Sequence, residues 1–260
     1  MELWPLSYET FESFLVVLTR TSALLFLLPF FSSRVIPARC KAGLALAISI
    51  SLFPVTNRGY AGLPDNLWGM GQMIIAEFIT GMILGLLVQV FFEGVRMMGQ
   101  LVGFQTGFAI TNILDPQSGI QVSILANLAY FTAMVLFLSF DGHHIMLSAM
   151  KESFQIIPPG SLAISGDLAR EVINLAGDMF VIALKIGAPA IAVLFFTKVA
   201  FGLVVKLIPQ MNIMIVAFPV QIVLGLIFFG ICLGLLSRFL DIYMDRLGPL
   251  LINTMNIMKG

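Results

Sequence analysis

Residues 77–107 read EFITGMILGLLVQVFFEGVRMMGQLVGFQTG. Stepping by four through the first half gives Glu77, Gly81, Gly85, Gln89 and Glu93, so small and polar residues recur at helical-neighbour spacing. On a helix of about 3.6 residues per turn the stripe drifts by about 40° per step. It winds around the axis, as it would if another helix wrapped across it. Gly81 and Gly85 permit the close backbone approach by which membrane helices associate. A lone carboxylate facing lipid costs about 2.5–3.5 kcal/mol even on the lenient insertion scale. Glu77 and Glu93 are therefore expected to face protein or a water-filled path.

The second half changes character. Gly99, Gly103 and Gly107 again step by four, now among Gln100, Gln105 and Thr106, with Thr111 and Asn112 following. This stretch is too polar and too glycine-rich for a helix that faces lipid. Non-helical backbone at membrane depth is tolerated only where protein buries it or where it lines a cavity. Two readings stay open on the residues alone: a loop that sits in a conduit and occludes it, or an ordinary extramembrane loop after a helix that ends early.

Composition agrees with the membrane reading. The 260 residues are 59% hydrophobic and 11% charged, with 23 Phe and 15 Met. A soluble domain carries about 25% charged residues. The 14 Lys+Arg balance the 14 Asp+Glu, and no basic tract offers an electrostatic basis for binding nucleic acid. Cys40 and Cys232 stand far apart in no metal-type spacing and are read as passive apolar side chains. The first residues, MELWPLSYETFESF, hold three acids and no base, so a cleavable signal is not expected.

Crossing a bilayer takes about 20 apolar residues at about 1.5 Å each. Ser13–Phe31, Trp68–Phe92, Ile124–Phe140, Val172–Phe196 and Ile213–Leu236 qualify, the third at the short end. Ala42–Val55 is too short to span unaided. Turn signals separate the runs: Asn57-Arg58-Gly59, Gly62-Leu63-Pro64-Asp65, Asp115-Pro116-Gln117-Ser118-Gly119, Pro158-Pro159-Gly160 and Pro209-Gln210. No period-two alternation suggests a β-barrel. The expected fold is all-α, an integral membrane protein of helical hairpins, read as one domain over residues 1–260. The Lys/Arg bias of Arg34, Arg39 and Lys41 against the acidic start puts the N-terminus outside.

Charges inside the apolar runs carry the remaining information. Glu171, Asp178 and Lys185 are seven apart and share one helix face. Such a stripe faces a bundle interior or a partner. A proton or ion path is the sharper reading and interhelical packing the plainer one. His143 and His144 follow Asp141-Gly142, but adjacent helical residues point about 100° apart, and no metal site is expected there. No phosphate loop, GxSxG elbow or HExxH motif is present, so neither catalytic residues nor a cofactor site is expected. A secondary transporter or ion channel using Asp178 and Lys185 is one alternative, although no internal repeat supports it.

The order of motifs resembles the FliR family of flagellar export-gate proteins, called SctT in injectisomes. It runs from Arg20 through LPFFSSRVIPARCKAGLALAISISLFP (28–54), with Pro29, Pro37 and Pro54, to EFITGMILGLLVQVFFEGVRMMGQLVGFQTGFAITNILDP (77–116). It continues in FVIALKIGAPAIAVLFFTKVAFGLVVKLIPQMNIMIVAFPVQIVLGL (180–226), with Pro189, Pro209-Gln210-Met211-Asn212 and Phe218-Pro219. The resemblance implies an all-helical subunit of a hetero-oligomeric assembly with FliP-like, FliQ-like and FlhB-like subunits. It implies a bacterial inner-membrane location in the flagellar basal body, standing partly above the bilayer, in contact with lipid and with unfolded export substrates. The loop from about Gly103 to Gly119 matches the family's plug, with Gly103, Phe104, Gln105, Gly107, Phe108, Asn112, Leu114, Asp115 and Pro116 as its residues. Glu77, Gly81, Gly85, Gln89, Glu93, Asp178 and Lys185 are then expected to pack between subunits.

Overall fold

In an apolar environment a backbone must satisfy its own N–H and C=O groups, and an uninterrupted apolar run does so as a helix. A computed structural model describes residues 8–32, 36–56, 64, 66–107, 123–210 and 212–259, and no strand occurs among them. The helices are α1 (Tyr8–Leu27), α2 (Pro29–Ser32), α3 (Ala38–Thr56), α4 (Leu67–Thr106), α5 (Ile124–Ser139), α6 (Gly142–Ile156), α7 (Gly166–Leu207) and α8 (Ile213–Lys259). The all-α membrane fold is as the sequence implied.

The expected spans were too short in three places. α4, α7 and α8 hold 40, 42 and 47 residues, or about 60–70 Å at 1.5 Å per residue. The hydrocarbon core is only about 30 Å thick. α4 does not stop at Phe92, because Glu93 and Arg96 pair across one turn at 2.9 Å and Arg96 lies over the Tyr130 ring, 4.1 Å from its centroid. α7 continues through Pro189, α8 through Pro219, and α3 contains Pro54 rather than ending there.

α5 departs in the other direction. Sixteen residues reach about 24 Å, less than the core thickness. The chain then turns at Phe140-Asp141, with Asp141 in the left-handed region at φ 56°, and restarts as α6. Among the described residues, four helices are long and apolar enough to cross a membrane, or five if α5 and α6 count as one broken span. The turn signals at Pro158–Gly160 and Pro209-Gln210 do mark turns. The signals at Asn57–Gly59 and Asp115–Gly119 lie outside the described residues.

The chain divides into two compact units. One comprises residues 1–90, 141–175 and 244–260, and the other residues 91–140 and 176–243. In the first, Phe14 meets Phe53 edge to face at 5.8 Å, joining α1 to α3. The Ala163 N–H donates to Met258 O at 2.9 Å, tying the turn before α7 to the end of α8. In the second, Phe92 meets Tyr130 and Phe137 at 5.9 and 5.3 Å, and Phe91 stacks on Tyr243 at 4.5 Å. These rings form a core built from α4, α5 and α8.

Candidate functional site

Two charges interrupt the first two long apolar runs, and the first unit brings them together. Arg20 of α1 and Glu77 of α4 are 0% and 1% exposed. Arg20 Nε donates to Glu77 Oε2 at 2.6 Å and Nη2 to Oε1 at 3.0 Å. Nη2 also donates to Ile157 O at 3.1 Å. Nη1 reaches Ser153 O at 2.9 Å and Ser153 Oγ at 3.3 Å. The five N–H bonds of the guanidinium thus all have acceptors. The Phe154 ring covers its carbon at 4.3 Å.

Glu77 takes one more bond, from the Gly160 N–H to Oε1 at 3.0 Å. Gly160 sits at φ +77°, where a side chain would be strained. Its place in the Pro158-Pro159-Gly160 turn aims the N–H at the carboxylate. One ion pair therefore fastens α1, α4, α6 and the turn after α6. Removing a buried charge from water costs several kcal/mol, which attraction repays only when the remaining donors and acceptors are also filled. Here they are filled.

The glycines of the same stripe serve the same contact. A Cβ on Gly81 would strike Arg20 O and Ala23, and one on Gly85 would strike Leu27. Glu77, Gly81 and Gly85 meet protein as expected, but the protein is α1 of the same chain. Within this chain the three make an intrachain contact with α1. Gln89 and Glu93 lie further along α4, half-buried. The sequence held one usable signal for the partner: Arg20 is a lone base in one apolar run and Glu77 a lone acid in the next. Ser153, Phe154, Ile157 and Gly160 carried no such signal.

The second unit holds the approach to the glycine-rich segment. Gly103 lies in α4 rather than in a loop, because the helix runs to Thr106 and ends on Gly107. Gly107, at φ 86°, closes the helix in the left-handed conformation common at helix ends. A Cβ on Gly99 would meet the Ala126 backbone, and one on Gly103 the Ser123 side chain. The end of α4 and the start of α5 are therefore in direct contact. The chain leaves at Gly107 and returns at Ser123 beside its point of departure. Thr106, in the last turn of α4, lies against Gly225 of α8.

Phe104 projects outward, 68% exposed. Gln105 is half-buried, and its Oε1 is enclosed with no hydrogen-bond partner. It edges a groove of about 640 Å³ along α7, walled by Leu184, Ala188, Ile191, Phe195 and Phe196. Phe108, Asn112, Leu114, Asp115 and Pro116 lie outside the described residues.

Asp178 and Lys185 keep the shared face that their spacing implied, and both are exposed on α7. Phe180, Val181 and Leu184 are exposed around them, at 49, 44 and 54%. Elsewhere in the first unit, Asp141, His143 and His144 bring one ligand atom each to within 4.8 Å of the others. The sequence had set the two imidazoles apart by helical rotation. Side-chain torsions close that angle, and the ring centroids are 4.2 Å apart.

Comparison with known proteins covers nearly the whole chain. Residues 11–247 match the model of bacterial export proteins, family 1. The flagellar biosynthetic protein FliR of Bacillus subtilis is 29% identical over 231 residues, 88% of each chain. FliR of Escherichia coli is 27% identical over 233 residues, 86% of this chain and 85% of that one. The surface presentation of antigens protein SpaR of Salmonella typhimurium is 23% identical over 202 residues, 78% of this chain and 75% of that one. The protein belongs to the family of bacterial export proteins, family 1, as a membrane-embedded relative of the flagellar biosynthetic protein FliR.

Proposed function

We propose that this chain is a gate subunit of the flagellar type III export apparatus in the bacterial inner membrane. It assembles with FliP-like, FliQ-like and FlhB-like subunits into a channel for unfolded flagellar proteins, and the segment after Gly107 is its plug. The observation that carries the plug is the junction of α4 and α5. Gly99 against Ala126 and Gly103 against Ser123 hold both ends of a 15-residue excursion, 108–122, at one place. Buried, unsatisfied Gln105 Oε1 and exposed Phe104 stand at its root, where a partner or the plug itself would supply the missing contacts.

The oligomeric part of the reading rests on α7 and α8. Their most apolar stretches are only 28 and 22% buried, against 50% for α4. Patches of this size mark interaction surfaces in protein or lipid. Helices of about 60–70 Å support an assembly that stands partly above the bilayer. The transporter alternative requires Asp178 and Lys185 in an enclosed site, whereas both are exposed.

The test is removal of Phe108–Gly119, with Gly107 joined to Ile120 through a short Gly-Ser linker. The deletion starts after the helical residues, so the α4–α5 junction is kept. Assembled with its partners, the shortened subunit should make the membrane leaky to small solutes. Normal assembly with unchanged permeability would refute the plug.

A further inference from the structure

We propose that Asp141, His143 and His144 form a binding site for a divalent transition-metal ion of the zinc type, at the start of α6. The inference is independent of the export reading. The three residues each offer one donor atom, all within 4.8 Å of one another. Donors about 2.1 Å from zinc in a tetrahedral arrangement lie about 3.4 Å apart. Closing by up to about 1.4 Å is within the reach of the exposed Asp141 and His144 side chains. His144 Nδ1 and Asp141 Oδ1 are already 3.1 Å apart, a hydrogen bond when the Nδ1 proton is present. On binding, the metal takes the place of that proton.

The third ligand has an unused valence. His143 Nδ1 is enclosed and has no hydrogen-bond partner. A buried ring nitrogen without a partner costs free energy, which coordination would recover. Asp141 and His144 are 73 and 68% exposed, so an ion can reach the site from solvent. Two imidazoles and one carboxylate suit zinc, copper(II) or nickel(II) better than magnesium or calcium, which prefer all-oxygen sets. Water completes the coordination. The positive end of α6 opposes a cation, so the Asp141 charge is required and binding is of moderate strength. Asp141 stands in the left-handed region at the turn between α5 and α6. A bound ion ties that residue to the first turn of α6 and braces the break in the chain.

The test is unusually clean because these are the chain's two histidines. Cys40 is an exposed free thiol and is replaced by Ser in every sample. The full chain in lipid nanodiscs is titrated with zinc against a chromophoric chelator, and its thermal midpoint is recorded with and without the metal. One zinc per chain should bind at micromolar concentration and raise the midpoint. H143A, H144A and D141N should each weaken binding by about tenfold or more and abolish the shift. D141N keeps both rings and tolerates the left-handed backbone, so its loss of zinc would not reflect unfolding. Failure to take up zinc at micromolar concentration overturns the site, and so does H143A binding as tightly as the parent chain.

Discussion

Glu77 and Asp178 are the same chemistry in two settings. Each is a carboxylate within a long apolar helix, and the sequence treats them alike. Glu77 is sealed against Arg20 and the Gly160 N–H inside its own chain. Asp178 stands exposed on α7, seven residues before the equally exposed Lys185 and among exposed apolar side chains. The first region is complete in the monomer. The second leaves its charges on the surface of the chain. A charge in an apolar run therefore does not by itself say whether its own chain encloses it.

The contrast breaks hardest at the buried pair. Arg20→Ala leaves Glu77 enclosed and unpaired and should cost about 3–5 kcal/mol in the isolated subunit. The loss should appear as a lower thermal midpoint in detergent and reduced steady-state level. The Arg20→Met, Glu77→Leu double variant should regain only part of this. Ile157 O and the Gly160 N–H lose the partners they have in the parent, whereas Ser153 O keeps the Ile157 N–H. Equal stability of the single variant and the parent would remove the node from the account.

A smaller effect is expected at the α4–α5 junction. Gly99→Val would force a side chain into the Ala126 backbone and should destabilise by about 1–3 kcal/mol. Protease nicking between residues 108 and 122 should rise with it. Resistance equal to the parent would mean that the junction does not hold the segment's ends.

The exposed face should give the smallest effect on the monomer. Asp178→Leu and Lys185→Leu should each change the isolated subunit's stability by no more than about 0.5 kcal/mol. Co-purification with FliP-like and FliQ-like subunits should nevertheless fall. Unchanged co-purification would turn this face over to lipid. A stability loss as large as that of Arg20→Ala would erase the contrast altogether.

Much of the fold was legible in the residues, because an apolar environment leaves a backbone few options. The apolar runs, the Pro158–Gly160 and Pro209-Gln210 turns, and the Glu77-Gly81-Gly85 stripe all appear where the pattern put them. Helix lengths were not legible. Glu93 and Arg96 read as an ending when taken singly, but paired across a turn they let α4 continue by fourteen residues beyond Phe92. The Gly103 position misled for a related reason. Glycine weakens a helix in isolation, and here it is what lets α4 approach Ser123 closely.

Composition and periodicity by themselves determined that this is an all-helical membrane protein. Motif order placed it among the export proteins. Tertiary structure alone decided the pairings: Glu77 with Arg20 rather than a neighbour, Gly99 with Ala126, and His143 beside His144 and Asp141. The reason is physical. Helical periodicity fixes which face a residue occupies, but contacts across 57 or 133 positions depend on how separate helices come together.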